Sequence, residues 1–533
     1  MAEAAKRIGP ADLKAWMHDG GETAVLDARE ENVFDARHLL FAACMPLGRI
    51  ETLAADMVPR LSTRTVWVDD GEGLAERAAA RMAALGYTAV HVLDGGVAAW
   101  ETAGHPVYSG VHVPSKAFAE VVEHEAATPH VSAEELKALI DGGADIAIYD
   151  TRTYEEFHAN SIPGAVSAPG AELVYRFKDL CPSPDTMVIV NCGGRTRSII
   201  GAQALINAGV PNRVVSLKNG TQDWHLAGYE VVKGATNRAP DPTDEGKAAA
   251  KAYGARIERL AKVRRIDAPT LEAWQGETGA RSLYLIDVRT AEEFEAGHAP
   301  GARNVAGGQL VQETDRHVAT WGARIVLLDD DGVRATVTAS WMAQMGWDVT
   351  TIRNADLGAP LEAGPRPPVV LGLDAANPQT VTAAALKGML EEEDTAVVDL
   401  ALSPNYRAGH IPEAWFALRS RLDEDLVQIG PAKRIVFTSE DGSLARLAAA
   451  DHADAAAEVL ALDGGTAAWK ATDLPLETGD GQMASAPDDV RLKAREQKGG
   501  VEEAMRAYLA WEINLVNQMA EDDDHRFRVV VPA

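Results

Sequence analysis

Seven consecutive residues carry the chemistry this sequence offers: Cys192-Gly193-Gly194-Arg195-Thr196-Arg197-Ser198. A thiol attacks as its thiolate, and free backbone N–H groups, a helix N-terminus and nearby cations all favour that form. Gly193 and Gly194 let the backbone curl closely around sulfur. Arg195 and Arg197 add fixed positive charge, and the amides from Gly193 to Ser198 favour an anion in the same place. The plain alternative for Cys192 is a buried core cysteine. A Gly-Gly-Arg-x-Arg loop is an odd setting for that.

The elements that must hold this loop are legible on either side. Met187 to Val190 is a short apolar, β-branched run, which reads as a buried parallel strand. Ser198 to Ala208 reads as a helix closed by Gly209. A cysteine between a strand's C-terminal end and a helix N-terminus stands at the usual ligand position of an open α/β sheet.

The surrounding pattern occurs four times. Strands ending in Asp read Val25-Leu-Asp27-Ala-Arg29, Ile148-Tyr-Asp150-Thr-Arg152, Leu285-Ile-Asp287-Val-Arg289 and Val397-Val-Asp399-Leu. Glu-Glu-Phe follows in two copies, at 155–157 and 292–294. Turns follow at Ser161-Ile-Pro-Gly-Ala165, His298-Ala-Pro-Gly-Ala302 and His410-Ile-Pro412. Three copies end in a turn and a tryptophan (Trp100, Trp224, Trp469). Strands alternating with helices at this spacing predict small parallel sheets with helices on both faces.

The expected boundaries are 1–125, 126–240, 241–368 and 369–479, with a helical C-terminal tail over 480–533. Within the tail, Asp488–Lys498 and Val501–Ala520 read as helices and Phe527–Val531 as a terminal strand. Gly246–Leu260 reads as a linking helix. Aligning the second strands puts Asp70, Asp330 and Ser439 opposite Cys192, so three copies lack a thiol at that position. Asp150 and Arg152 support the site, with a structural ion pair the favoured reading because the pair recurs. Trp224, His298 and His410 read as packing or structural residues, Cys44 as core and Cys181 as incidental. The acidic runs 391–394 and 521–524 read as solvated.

Taken together, Asp-x-Arg, Glu-Glu-Phe, Ile-Pro-Gly-Ala, Cys-Gly-Gly-Arg-Thr-Arg and Asn-Gly-x-x-x-Trp resemble rhodanese homology domains. The resemblance covers roughly residues 8–478, strongest in the second copy. The one-in-four arrangement is similar to bacterial multidomain sulfurtransferases. It implies that Cys192 takes sulfur from thiosulfate as a persulfide and passes it to a thiol, or to cyanide in an assay. It implies 3-mercaptopyruvate as the less favoured donor, because the loop is basic. It also implies that an inactive copy walls the site, with the first copy the natural candidate.

Two rivals follow. Phosphatases and arsenate reductases of this fold need Cys-x5-Arg, whereas Ser198 stands sixth after Cys192. A non-catalytic scaffold or sulfide-sensing protein would not need the Cys192 loop.

Bulk properties narrow the classes further. The formal net charge of −28 over 533 residues argues against nucleic acid or an anionic membrane as partner. No apolar run approaches the ~20 residues of a membrane span. Three cysteines argue against a disulfide framework or a cysteine-rich metal site. The segment Met1–Pro10 lacks a signal-peptide core. A cytoplasmic protein with no metal or cofactor is expected, acting on a small-molecule sulfur donor and a thiol acceptor. A homodimer is a reasonable expectation.

Overall fold

The computed structural model describes residues 5–391, 394–497 and 499–532. Glu392 and Glu393 of the acidic run, Lys498 of the expected tail helix and residues 1–4 lie outside the described residues.

Each repeat forms a parallel sheet with one strand order. In the second repeat, helix α1 (Val113–Ala126) leads into strands β1 (His130–Val131), β2 (Ile146–Asp150), β3 (Val166–Ser167) and β4 (Met187–Asn191). Helix α2 (Thr196–Ala208) and strand β5 (Val214–Leu217) follow. The order across the sheet is β1-β5-β4-β2-β3, and every pairing is parallel. The first repeat runs Lys6–Ile8, Val90–Leu93, Arg64–Val68, Thr23–Asp27, Ala42–Cys44 in the same sense. The third and fourth repeats keep this order, the fourth adding Gln482–Met483 at its edge.

These strands are apolar runs because both faces are covered. Side chains alternate between two cores. Val188, Val190, Tyr149 and Val214 pack on one face, against α2 and the helix Gly170–Leu180. Ile189, Ile148 and Val215 pack on the other, with Leu136, Phe157 and Trp224.

Asp27, Asp150 and Asp287 each close their strand by pairing with the arginine two residues on. The Arg Nη2 to Asp Oδ2 distances are 2.6, 2.7 and 2.7 Å. Each arginine also donates to a backbone oxygen eight residues on, at Arg37, Asn160 and Gly297. The recurring pair is therefore a turn anchor. His298 and His410 likewise stack on Phe294 and Tyr406 at 3.7 and 3.8 Å. Trp224 is buried in its own repeat and donates to the Glu230 oxygen.

The chain divides into two compact units. One joins the first and fourth repeats; the other joins the second and third repeats with the tail from Lys493. In the second unit the linking helix, Asp244–Ala261, packs against Gly170–Leu180 and Val333–Gln344. The expected boundary at 125/126 falls at the end of α1, which packs on α2. The repeat that walls the second is therefore the third, where the first was expected. Gly170 and Gly308 meet back to back there: a Cβ on Gly170 would lie 2.3 Å from the Gly308 Cα.

The tail departs from expectation in three places. Among the described residues 488–497, the helical structure before helix α3 (Val501–Glu521) is a 3-10 turn, Ala494–Glu496. Residues 527–531 join no sheet; instead Arg528 N donates to the Gln344 backbone oxygen and Val530 N to its Oε1, both at 2.8 Å. In the run 521–524, Asp522 and Asp524 are buried, not solvated.

The strand register also corrects the alignment of the repeats. Asp150 pairs with Asn191, Asp27 with Val68, Asp287 with Leu328 and Asp399 with Thr438. The residues equivalent to Cys192 are therefore Asp69, Asp329 and Ser439. Asp70 and Asp330 lie one place further on. A slip of one residue reverses the face a side chain takes, so this decides which carboxylate enters the loop.

Candidate active site

Cys192 leaves the end of β4, and α2 begins four residues later, at Thr196. The thiol donates to Ser198 Oγ at 3.5 Å, and that hydroxyl donates to the Arg195 oxygen at 2.8 Å. Thr221 N donates to the Cys192 oxygen at 2.9 Å. This needs Gly220: a Cβ there would lie 2.3 Å from the Cys192 oxygen. Neither Gly193 nor Gly194 has the positive φ of the expected curl; Gly194 serves close approach instead. A Cβ on Gly194 would lie 3.0 Å from Glu512 Oε2 and 3.2 Å from Tyr508.

The same cradle recurs around a different atom in every repeat. Asp69 Oδ2 accepts from Ala75 N at 3.1 Å, Asp329 Oδ2 from Ala335 N at 3.0 Å, and Ser439 Oγ from Ala445 N at 3.4 Å. Each donor lies six residues on, where Ser198 follows Cys192. A carboxylate thus fills the anion position in the first and third repeats. Asp329→Ala should destabilise the chain by about 1–3 kcal/mol, the cost of stranding buried donors. Urea denaturation checks it, since Gly332 N also bonds that carboxylate.

The two loop arginines are not free cations. Arg195 forms a bidentate pair with Glu120 of α1, at 2.6 and 2.7 Å, and also bonds Glu123 and Asn219. Arg197 meets Glu156 at 2.6 and 3.1 Å and Gln309 of the third repeat at 3.2 Å. Lys493 adds a second cation on Glu156, at 3.0 Å. Arg334, equivalent to Arg197, makes the same pair with Glu293 at 2.6 Å in a repeat without the thiol. Both arginines therefore hold the loop in shape.

The thiol itself is 2% exposed. Burial pushes its pKa up from the ordinary value, against the pull of Arg197 and Ser198, and Glu512 pushes the same way. The expected ready-made thiolate is not what the closed loop favours: it is the protonated thiol.

The tail supplies what the loop sequence does not announce. Glu512 of α3 is 1% exposed; its Oε1 accepts from Thr196 Oγ1 at 3.0 Å and from the Tyr508 hydroxyl at 2.9 Å. Its Oε2 is buried without a partner. Burial pushes this carboxyl up, toward its neutral form. Nothing in the tail's own composition marks Glu512. Glu120 and Glu123 were equally unmarked. Glu156 could have been found, because Glu293 occupies the same place in the repeated Glu-Glu-Phe.

Among the described residues, the only cluster with spacing for a metal ion is Asp522, Asp523 and Asp524, which lies outside this loop. No helix among them is long and apolar enough to cross a membrane. No disulfide joins Cys44, Cys181 and Cys192.

Comparisons agree with this architecture. The rhodanese-like domain family matches residues 9–103, 132–227, 267–358 and 382–472. A crystal structure of thiosulfate sulfurtransferase from Pseudomonas aeruginosa is 45% identical, with a TM-score of 0.94. That match covers 98% of this chain and 100% of the other. Among curated proteins, an HTH-type transcriptional regulator of Mycobacterium tuberculosis is 32% identical over 91 residues, 17% of this chain. YrkF of Bacillus subtilis is 28% identical over 102 residues, 19% of this chain. The matched segment spans 39% and 54% of those two relatives. With four copies of the fold and four matching segments over well over half its length, the chain belongs to the rhodanese-like domain family.

Proposed function

We propose that the chain is a sulfurtransferase carrying sulfane sulfur on Cys192, with thiosulfate as donor and a cellular thiol as acceptor. One observation carries the reading. Four equivalent strand ends present Asp69, Cys192, Asp329 and Ser439 to the same amide cradle, and only the sulfur can accept and release a sulfur atom. The Pseudomonas aeruginosa thiosulfate sulfurtransferase, similar over nearly the whole chain, supports it.

The reaction balances on this one side chain. The thiol loses its proton to water as the donor enters. The thiolate attacks the outer sulfur of thiosulfate; the donor's S–S bond breaks and its electron pair leaves on sulfite. Cys192 then holds a persulfide. An acceptor thiolate, or cyanide in an assay, takes the terminal sulfur and returns Cys192 as thiolate. Amides from Gly193 to Ser198 face the developing charge. Arg195, Arg197, Asp150 and Arg152 keep the loop in register. 3-Mercaptopyruvate is the less favoured donor. A reducing cytoplasm, which keeps thiols out of disulfides, is the compartment proposed for the chain. A phosphatase reading would need an arginine where Ser198 stands.

Intact mass after incubation with thiosulfate and desalting tests the reading. The wild-type chain should gain one sulfur atom and lose it to cyanide or a thiol, and Cys192→Ala should gain none. Equal gain by both, or by neither, rejects Cys192 as the carrier.

A further inference from the structure

The position after the nucleophile separates the second repeat from the third. In the third repeat it is Asp330, whose carboxylate accepts from Arg289 Nη1 at 2.8 and 3.0 Å and from Asn354 at 3.1 Å. Arg289 is the arginine of that repeat's Asp-x-Arg anchor. In the second repeat the corresponding arginine is Arg152 and the corresponding residue is Gly193. Among the described residues no carboxylate replaces Asp330 there, and Arg152 Nη1 donates to the Asn160 side-chain oxygen alone, at 3.3 Å.

The same place gains a cation. Arg495, in the 3-10 turn of the tail, donates to the Thr221 backbone oxygen at 2.8 Å. Thr221 is the residue whose N–H holds the Cys192 oxygen and whose hydroxyl donates to the Gly193 oxygen at 3.4 Å. Arg495 is half-buried and has no carboxylate partner among the described residues, in a chain of net charge −28. It stands close enough to Arg152 for the two charges to oppose each other. A carboxylate has been removed and a guanidinium added beside the sulfur-bearing loop, which shifts the local balance towards positive charge next to Gly193.

We propose that Arg152 and Arg495 form the subsite for the sulfonate end of the sulfur donor, its oxygens taking the place that the Asp330 carboxylate holds in the third repeat. The inference rests on the sulfur-transfer reading and narrows it to anionic donors of the S-sulfonate class, with sulfite leaving from this subsite. Arg495 is a specificity-determining residue, and the tail is part of the site.

Gly193 allows a sharp test. Its φ is not positive, and a Cβ there would meet only Arg152 Cδ, at 3.7 Å, so a side chain fits. Gly193→Asp rebuilds the third repeat's arrangement; Gly193→Ala adds the same Cβ without charge. Two quantities are measured on the full chain: sulfite affinity by calorimetry, and KM and kcat for thiosulfate. Arg495→Gln should weaken sulfite and raise the thiosulfate KM by about 10- to 100-fold, as loss of a charge-assisted hydrogen bond does. Gly193→Asp should do at least as much, and clearly more than Gly193→Ala, which adds the same Cβ without the charge. Modification of Cys192 by neutral methyl methanethiosulfonate should be unchanged in Arg495→Gln.

Sulfite affinity and KM within about threefold of wild type in Arg495→Gln would overturn the subsite. So would Gly193→Ala being as damaging as Gly193→Asp. If the wild type binds sulfite with the expected variant pattern yet takes no sulfur from thiosulfate, the reaction reading fails and the anion subsite stands. If it takes sulfur and the variants bind sulfite as it does, the subsite alone fails.

Discussion

Arg195→Met is expected to destabilise the chain by about 3–5 kcal/mol, the cost of leaving a buried charge without its partner. The guanidinium and the Glu120 carboxylate it grips are both nearly inaccessible, and Glu123 shares the same cation. Removing it leaves two carboxylates facing each other at the junction of α1 and α2. Glu120→Gln in the same chain should restore part of the loss, because a neutral amide needs no counter-charge. The pH dependence has a definite sign. Burial already pushes the Glu120 carboxyl up to about 7, against the pull of Arg195. A carboxyl whose folded pKa is raised contributes stability below its unfolded value, and that contribution is lost as pH rises through the folded value. The Arg195→Met deficit should therefore widen between pH 5 and pH 8. Denaturant midpoints at the two pH values check it; a deficit independent of pH would show that Glu120 does not carry the effect.

Cys192→Ser should lower thiocyanate formation from thiosulfate and cyanide by at least about a thousandfold, because a hydroxyl forms no persulfide. Stability should hardly change, since Ser439 occupies the same cradle in the fourth repeat. In the wild type, single-turnover loading should accelerate from pH 7 towards pH 9 without levelling off. Burial raises the Cys192 pKa and so keeps the thiolate scarce at neutral pH. A plateau already reached at pH 7 would show that the thiol is activated before the donor arrives. The two variants probe separate proposed roles: reaction at one side chain, and support of the loop that presents it at the other.

Much of this was legible in the residues alone. Apolar runs ending in aspartate, four times over, specify short parallel strands, because a strand covered on both faces has no room for alternation. The repeated Asp-x-Arg announces a local pair that needs only two residues' separation to form. The Cys192 loop stands out by composition, and its place between a strand and a helix follows from local periodicity. Family membership rests on these same local features.

What the sequence left open depends on contacts between distant segments. Which of two adjacent aspartates faces the cradle turns on a one-residue strand register, and only the pairing of Asp27 with Val68 and of Asp287 with Leu328 decides it. Arg195 and Arg197 look like free cations because nothing near them in sequence shows the carboxylates of α1 and of the Glu-Glu-Phe turn. The third repeat walls the second because Gly170 and Gly308 permit their backbones to meet. Glu512 and Arg495 reach the site from 316 and 274 residues away in the chain. Sequence by itself determined the strands and the repeats and singled out the cysteine proposed as nucleophile, because their causes are short-range patterns of apolarity and turn chemistry. Tertiary structure alone decided which charges are spent and which remain beside the sulfur, because electrostatic balance is set by distance in space.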